Sequence, residues 1–113
     1  MEYIGTMEFV ESKVFTRRVT VLLSEPEYQA LQEQLIADPE AGVLITGSGG
    51  LRKFRWAGSG RGKRGGTRTI YYYSTHQSTI LFLIIYAKNE RDDISRHELA
   101  ILSAAVHKEF PHG

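Results

Sequence analysis

The residues of this sequence that could do chemistry are cations, and they are concentrated in its second half. Residues 1–40 contain eight carboxylates and three basic residues, whereas residues 41–89 contain no Asp or Glu. The net charge of +1 hides this separation. Segregated positive charge is typical of a surface that binds a polyanion, although a solvated basic loop without a partner would leave the same pattern. The basic residues of the acid-free segment are Arg52, Lys53, Arg55, Arg61, Lys63, Arg64, Arg68 and Lys88.

Alternation along the predicted strand Leu51–Trp56 separates two of these cations from two aromatic residues. Lys53 and Arg55 share one face of the strand, and Phe54 and Trp56 share the other. We expect the aromatic pair to face the core, which would direct both cations towards solvent.

The remaining cations are predicted to lie close to that strand. Arg68 begins the next predicted strand and is expected on the solvent side like Lys53 and Arg55, and Lys88 ends the last strand. Neighbouring strands are about 4.8 Å apart, so these side chains can gather on one face of the sheet. Lys63 and Arg64 belong to a Gly-rich hairpin loop and are expected at the rim of that face.

Such a cluster is suited to cleaving RNA. The reaction needs a base for the 2′-hydroxyl, cations for the charged transition state and an acid for the leaving oxygen. A lysine can transfer protons where neighbouring cations favour its neutral form, and Lys53 is expected beside Arg55 and Arg68. An alternative remains open, in which these residues only anchor phosphate.

Several other kinds of site are excluded or disfavoured. The chain has no cysteine, so it has no disulfide and no thiolate metal ligand. Its four histidines lack metal-site spacing, and residues 60–65 match GxGxxG but precede a predicted strand instead of a helix. The longest apolar run, residues 80–87, is too short to span a bilayer. We therefore expect a cytoplasmic protein without a metal, a cofactor or a membrane partner.

Hydrophobic periodicity predicts a single α+β domain over residues 1–113, with elements in the order β-α-α-β-β-β-α. Serines that begin capping boxes, Ser24 and Ser95, predict the starts of the second and last helices. The N-terminal strand and two helices are expected to pack on an antiparallel sheet of three to four strands, with a C-terminal helix. The predicted strands are 7–11, 51–56, 67–74 and 79–88, and the first helix is 13–23. Residues 79–88 are almost wholly apolar, which predicts a central strand covered on both faces.

Three ordered blocks of sequence, 49–56, 62–73 and 86–90, followed by a terminal helix, resemble a HigB-type toxin of the RelE/ParE superfamily. The strong part of the resemblance covers residues 47–102. It implies a RelE-like fold and a metal-independent endoribonuclease that cuts mRNA on the ribosome and so inhibits translation. It also implies a cognate antitoxin with a helix-turn-helix, through which alone the toxin would contact operator DNA.

The resemblance also assigns roles to residues. The basic positions of the second and third strands carry catalysis in such toxins, which implies Lys53, Arg55 and Arg68 here, and Lys88 falls at the basic position that closes the last strand. Some members have a Tyr in the first turn of the last helix, where this chain has none, so the proton donor and acceptor stay open, with His97 and Tyr86 as candidate substitutes. The residues expected to bind substrate are Arg52, Lys63, Arg64, Tyr86 and His97.

Two other functions remain open from the sequence. A ParE-like toxin would inhibit DNA gyrase without chemistry, but members of that kind tend to lack clustered strand cations. A nucleic-acid-binding module without toxicity is the third interpretation.

Overall fold

The computed structural model describes residues 7–56, 66–91 and 93–111. The strands are β1 (Glu8–Glu11), β2 (Val43–Leu44), β3 (Leu51–Trp56), β4 (Thr67–Ser74) and β5 (Thr79–Ala87). The helices are α1 (Lys13–Leu22), α2 (Glu25–Ala37) and α3 (Arg96–Glu109). The α+β class and the predicted order of elements are confirmed, with β2 as an addition. The Gly-rich loop, including Lys63 and Arg64, lies outside the described residues. No helix in the described part of the chain is long and apolar enough to cross a lipid bilayer.

The described strands form one sheet in the order β1-β5-β4-β3-β2. The central meander, β3-β4-β5, is antiparallel as expected. The prediction of a purely antiparallel sheet of three to four strands is wrong, because β1 pairs in parallel with β5 and β2 adds a fifth strand. β1 pairs with the free edge of β5, and no local feature of the sequence determines whether that pairing is parallel or antiparallel.

Helices cover both faces of the sheet. α1 and α2 pack on one face, over a core that includes Phe15, Leu31 and Phe82. α3 packs on the other, where Val106 and Phe110 meet Leu51, Ile70 and Tyr72 of the strands. As a result β4 and β5 are buried along most of their length, which confirms the prediction that the apolar run 79–88 is a central strand.

Both predicted capping boxes are present. The Ser24 hydroxyl accepts from the Glu27 N–H at the start of α2, and Glu27 in turn accepts from the Ser24 N–H. Ser95 and Glu98 make the same pair of bonds at the start of α3. Caps of this kind are each worth about 1 kcal/mol. The cap at Ser95 matters for the site, because it fixes where the connection after β5 ends and α3 begins.

Candidate active site

A row of polar side chains crosses three strands at one end of the sheet. Arg55 of β3 lies directly opposite Arg68 of β4, and Arg68 lies opposite Tyr86 of β5. Lys53 precedes Arg55 by two residues and therefore shares its face of β3. This is the face that carries α3, whereas Phe54 and Trp56 pack on the side of α1 and α2 as predicted. We call the three basic residues Lys53, Arg55 and Arg68, together with Tyr86 beside them, the cation row.

The members of the cation row differ in exposure. Arg55 is exposed, as expected, whereas Lys53 is half-buried on the face that carries α3. Arg68 is only 6% exposed, so the expectation that it faces solvent is wrong. Its strand is central, and the side chains of Arg55 and Tyr86 flank it on both sides. One guanidinium nitrogen of Arg68 donates to the Thr67 carbonyl at 3.3 Å, which helps to hold the group in place.

A carboxylate that the sequence analysis did not include joins this row. Asp93 Oδ1 is 3.3 Å from Lys53 Nζ and accepts a hydrogen bond from the Tyr86 hydroxyl, also at 3.3 Å. The Ile94 N–H donates to the same oxygen at 2.8 Å. Partial burial alone would raise the pKa of Asp93, but these hydrogen bonds and the charge of Lys53 hold the pKa below its ordinary value. Asp93 is therefore a charged acceptor at neutral pH.

The Tyr86 hydroxyl is held as a proton donor. Burial raises the pKa of Tyr86 to about 12, and the charge of Asp93 and its hydrogen bond act in the same direction. The nearby charges of Arg91 and Arg68 oppose this effect without cancelling it. At neutral pH the phenol therefore keeps its proton and can donate to Asp93 or to a bound anion.

The connection between β5 and α3 is tied down at both ends of its course. Glu90 accepts two hydrogen bonds from Arg18 of α1, at 2.6 and 2.7 Å. Arg91 forms an ion pair with Glu98 of α3, and its guanidinium carbon lies 4.8 Å from the centre of the Tyr86 ring. Arg91 is thus a further cation near the row, which a reading limited to the acid-free segment could not find.

Other predicted site residues lie outside the cation row. Arg52 points to the opposite face of β3, where it donates to the carbonyls of Gly42 and Glu40, so its position does not support a role in binding substrate. Lys88 lies in the turn that follows β5, at the same end of the sheet, and its N–H pairs with the Gly66 carbonyl. His97 is exposed in the first turn of α3.

The described residues of this site offer cations and hydroxyl donors. Arg55, Arg68 and Lys53 can surround a phosphate, and guanidinium groups bind phosphate oxygens in a bidentate way. Among the described residues no group of His, Cys, Asp and Glu is arranged to hold a metal ion. The arrangement is suited to stabilising negative charge on a phosphodiester.

Three solved structures with a similar fold are a free toxin RelE and two complexes of RelE with RelB. The free state of a mutant of E. coli toxin RelE matches with a TM-score of 0.59 at 12% identity, over 90% of this chain and 98% of that one. The E. coli RelBE complex gives 0.55 at 14% identity, over 73% of this chain and 96% of that one. The RelE–RelB complex of Pyrococcus horikoshii gives 0.51 at 16%, over 77% and 100%. At these identities the matches show the fold.

The sequence gives the family. A model described as the RelE toxin of the RelE/RelB toxin–antitoxin system matches residues 29–110, which is most of the chain. The protein therefore belongs to the RelE toxin family, and the predicted resemblance to the RelE/ParE superfamily is confirmed. Assignment to the HigB type stays a prediction.

Proposed function

We propose that this toxin is a ribosome-dependent endonuclease that cuts mRNA and thereby stops translation. The observation that carries the proposal is the cross-strand pair Arg55–Arg68. Like charges directly opposite each other on a sheet are destabilising. A bound phosphate between the two guanidinium groups would attract both of them and so offset their mutual repulsion.

The roles of the residues follow from their surroundings. Arg68 is buried and fixed, so it is the main stabiliser of charge on the phosphorane-like transition state. Arg55 adds a second cation from the solvent side. Lys53 is held by its ion pair with Asp93, and its amino group carries N–H donors that can reach the leaving oxygen, so it is the residue placed to donate a proton there. Tyr86 aligns the end of Lys53 by sharing Asp93 with it.

The described residues of the cation row and the neighbouring Asp93 include no strong general base. Asp93 is a weak base because its pKa is depressed, and Tyr86 keeps its proton at neutral pH. A site of this kind acts mainly by stabilising negative charge and by positioning the RNA, so it benefits from mRNA that is already held in a reactive geometry. In this proposal the ribosome holds the mRNA, and the toxin therefore acts in the cytoplasm.

The toxin also needs a partner that keeps it inactive. Two structures with this fold are complexes of RelE with RelB, and we extend that arrangement to a cognate antitoxin with a helix-turn-helix. In this proposal the antitoxin covers or distorts the cation row and alone contacts operator DNA. Co-expression with the gene next to the toxin gene should restore growth and yield a complex that survives purification. Failure of both would remove the antitoxin from the proposal.

The nuclease proposal is tested by mapping RNA ends after induced expression. Wild-type toxin should produce new 5′ ends inside translated reading frames, whereas Arg55→Ala should produce few. Arg52→Ala is the matched control, since it removes the same charge from the same strand but on the opposite face. Intact mRNA together with stalled DNA replication would instead favour a ParE-like inhibitor of gyrase.

A further inference from the structure

A cavity of about 440 Å³ opens beside the cation row, between the β2–β3 connection and the start of α3. Pockets for small ligands have volumes of roughly 300–1,000 Å³, so a single nucleotide can be accommodated. The cavity combines apolar walls with three charged groups. The residues that supply these are Ile45, Ile94 and Leu99 for the walls and Lys53, Asp93 and Arg96 for the charges.

Asp93 has an oxygen available inside this arrangement. All the hydrogen bonds that its carboxylate makes with the described residues involve Oδ1, which accepts from Lys53, Tyr86 and the Ile94 N–H. Oδ2 has no hydrogen-bond partner in the described part of the chain. The side chain is 57% exposed, so a ligand can reach it. The depressed pKa keeps the carboxylate charged at neutral pH, and it can then only accept hydrogen bonds.

Lys53 links the cavity to the proposed phosphate site, because its side chain lines the cavity and is also a member of the cation row. A nucleotide whose phosphate binds at Lys53 would direct its base towards the apolar walls. Arg96 stands at the same cavity and is exposed, and guanidinium planes stack on the unpaired bases of RNA.

We propose that this cavity binds the base of a nucleotide next to the scissile phosphate, and that Asp93 accepts a hydrogen bond from an amino group of that base. The inference rests on the proposed nuclease function and adds a substrate preference to it. Adenine, cytosine and guanine carry an exocyclic amino group, and carboxylates read such donors in nucleic acids. Uracil has carbonyl oxygens on both sides of its one N–H, and these would face a negative charge. The toxin should therefore disfavour uracil at this position.

The test compares cleavage of four mRNAs that differ only in one nucleotide, first on one side of the cut and then on the other. In single-turnover reactions on programmed ribosomes, wild-type toxin should cut after or before an amino-bearing base about tenfold faster than at uracil, the effect of one charge-assisted hydrogen bond. In Asp93→Asn this ratio should fall towards one, because an amide can donate to the uracil carbonyls. Because Asp93 also holds Lys53, the overall rate is expected to fall on all four mRNAs, and the ratio between them is the quantity that decides. An unchanged ratio would overturn the proposal.

A second pair of variants tests the cavity without altering a charge. Ala100 lines the cavity, so Ala100→Phe should fill it and reduce the preference between bases. Ile101→Phe is the matched control, because Ile101 is its neighbour on α3 and is 55% exposed. Base preference that survives the filling of the cavity would contradict the assignment.

A measurement without ribosomes separates this inference from the nuclease proposal. The methyl resonances of Ile45 and Leu99 in the purified chain are followed by NMR during titration with AMP, CMP, GMP or UMP. Shifts at these methyl groups that are stronger for the amino-bearing nucleotides, and weaker in Asp93→Asn, support the cavity even if no mRNA is cut. Equal affinity for UMP, or shifts only at distant residues, would overturn it even if the nuclease is active.

Discussion

Removal of the exposed arginine of the cross-strand pair should lower activity without lowering stability. In Arg55→Ala the side chain that is lost is exposed and faces another guanidinium. Cross-strand pairs contribute roughly 0.2–1 kcal/mol, and a like-charged pair contributes with the unfavourable sign. We therefore expect the free energy of unfolding to stay unchanged or to rise by up to about 0.5 kcal/mol. The cleavage rate should fall roughly 100-fold, as for one lost transition-state contact.

The buried arginine should behave differently. Arg68→Ala removes a side chain that is 6% exposed together with its bond to the Thr67 carbonyl. The space it leaves and the lost contacts should cost about 1–3 kcal/mol, in addition to a loss of rate of roughly 100-fold or more. Thermal melts and single-turnover cleavage, measured on the same preparations, give both quantities.

Ionic strength provides the refuting experiment. Screening shortens the range of charge interactions from about 8 Å at 0.15 M to about 3 Å at 1 M salt. Any gain in the melting midpoint of Arg55→Ala should accordingly be largest at low salt and vanish near 1 M. Arg17→Ala, at an exposed position of α1, controls for the loss of one positive charge. If Arg55→Ala destabilises the fold by more than about 1 kcal/mol at every salt concentration, the two guanidinium groups do not repel each other, and Arg55 stabilises the fold.

Three further predictions concern stability. The Arg91 guanidinium and the Ser95 N–H hold the pKa of Glu98 below its ordinary value. The ionised Glu98 carboxylate therefore stabilises the fold fully above the unfolded-state pKa of about 4.3, and this stabilisation is lost as the pH falls through the lower pKa of the folded state. Glu98→Gln should thus cost about 0.3–1 kcal/mol at pH 7 and nothing in acid, and a difference in melting midpoint that is constant with pH would contradict this. Tyr71→Phe should cost about 1–3 kcal/mol in urea unfolding, with cleavage unchanged, because the buried hydroxyl bonds the Gly42 N–H and the Pro39 carbonyl. Arg52→Ala should cost about 1 kcal/mol and leave the cleavage rate at the wild-type value, whereas a large loss of rate would return Arg52 to the site.

Local signals in the sequence predicted the elements well where the cause of the element is local. Ser24 and Ser95 fix two helix starts through bonds to residues three positions later. The bounds of β3 and β4 agree with the prediction, because alternation and turn residues delimit them. β2 was missed, since two residues paired with β3 leave no periodicity. The parallel pairing of β1 has no local cause either.

The residues of the site can also be divided into those whose position has a local cause in the sequence and those whose position depends on the tertiary fold. Alternation placed Lys53 and Arg55 on one face, which is a local property of β3. The burial of Arg68 depends on the position of β4 in the sheet, which the order of strands along the chain does not give. Asp93 was missed because it belongs to a connection, and its approach to Lys53 requires that connection to return over the end of the sheet. The aspartates at positions 92 and 93, just before the capping box, were the one available signal.

In our proposal the contacts to phosphate and the contact to a base come from different parts of the fold, and this separation affects specificity. The arginines stand on neighbouring strands whose pairing fixes their positions, and the group that we propose they bind, phosphate, is shared by every mRNA. Asp93 stands on the connection between β5 and α3, which the Arg91–Glu98 ion pair ties to α3. A change in that connection can alter the group that faces a base without moving the strands that hold the arginines. In this arrangement, therefore, base preference can change without loss of the arginines that face the phosphate, and substitutions at Asp93 should change the choice of site even though they also release Lys53.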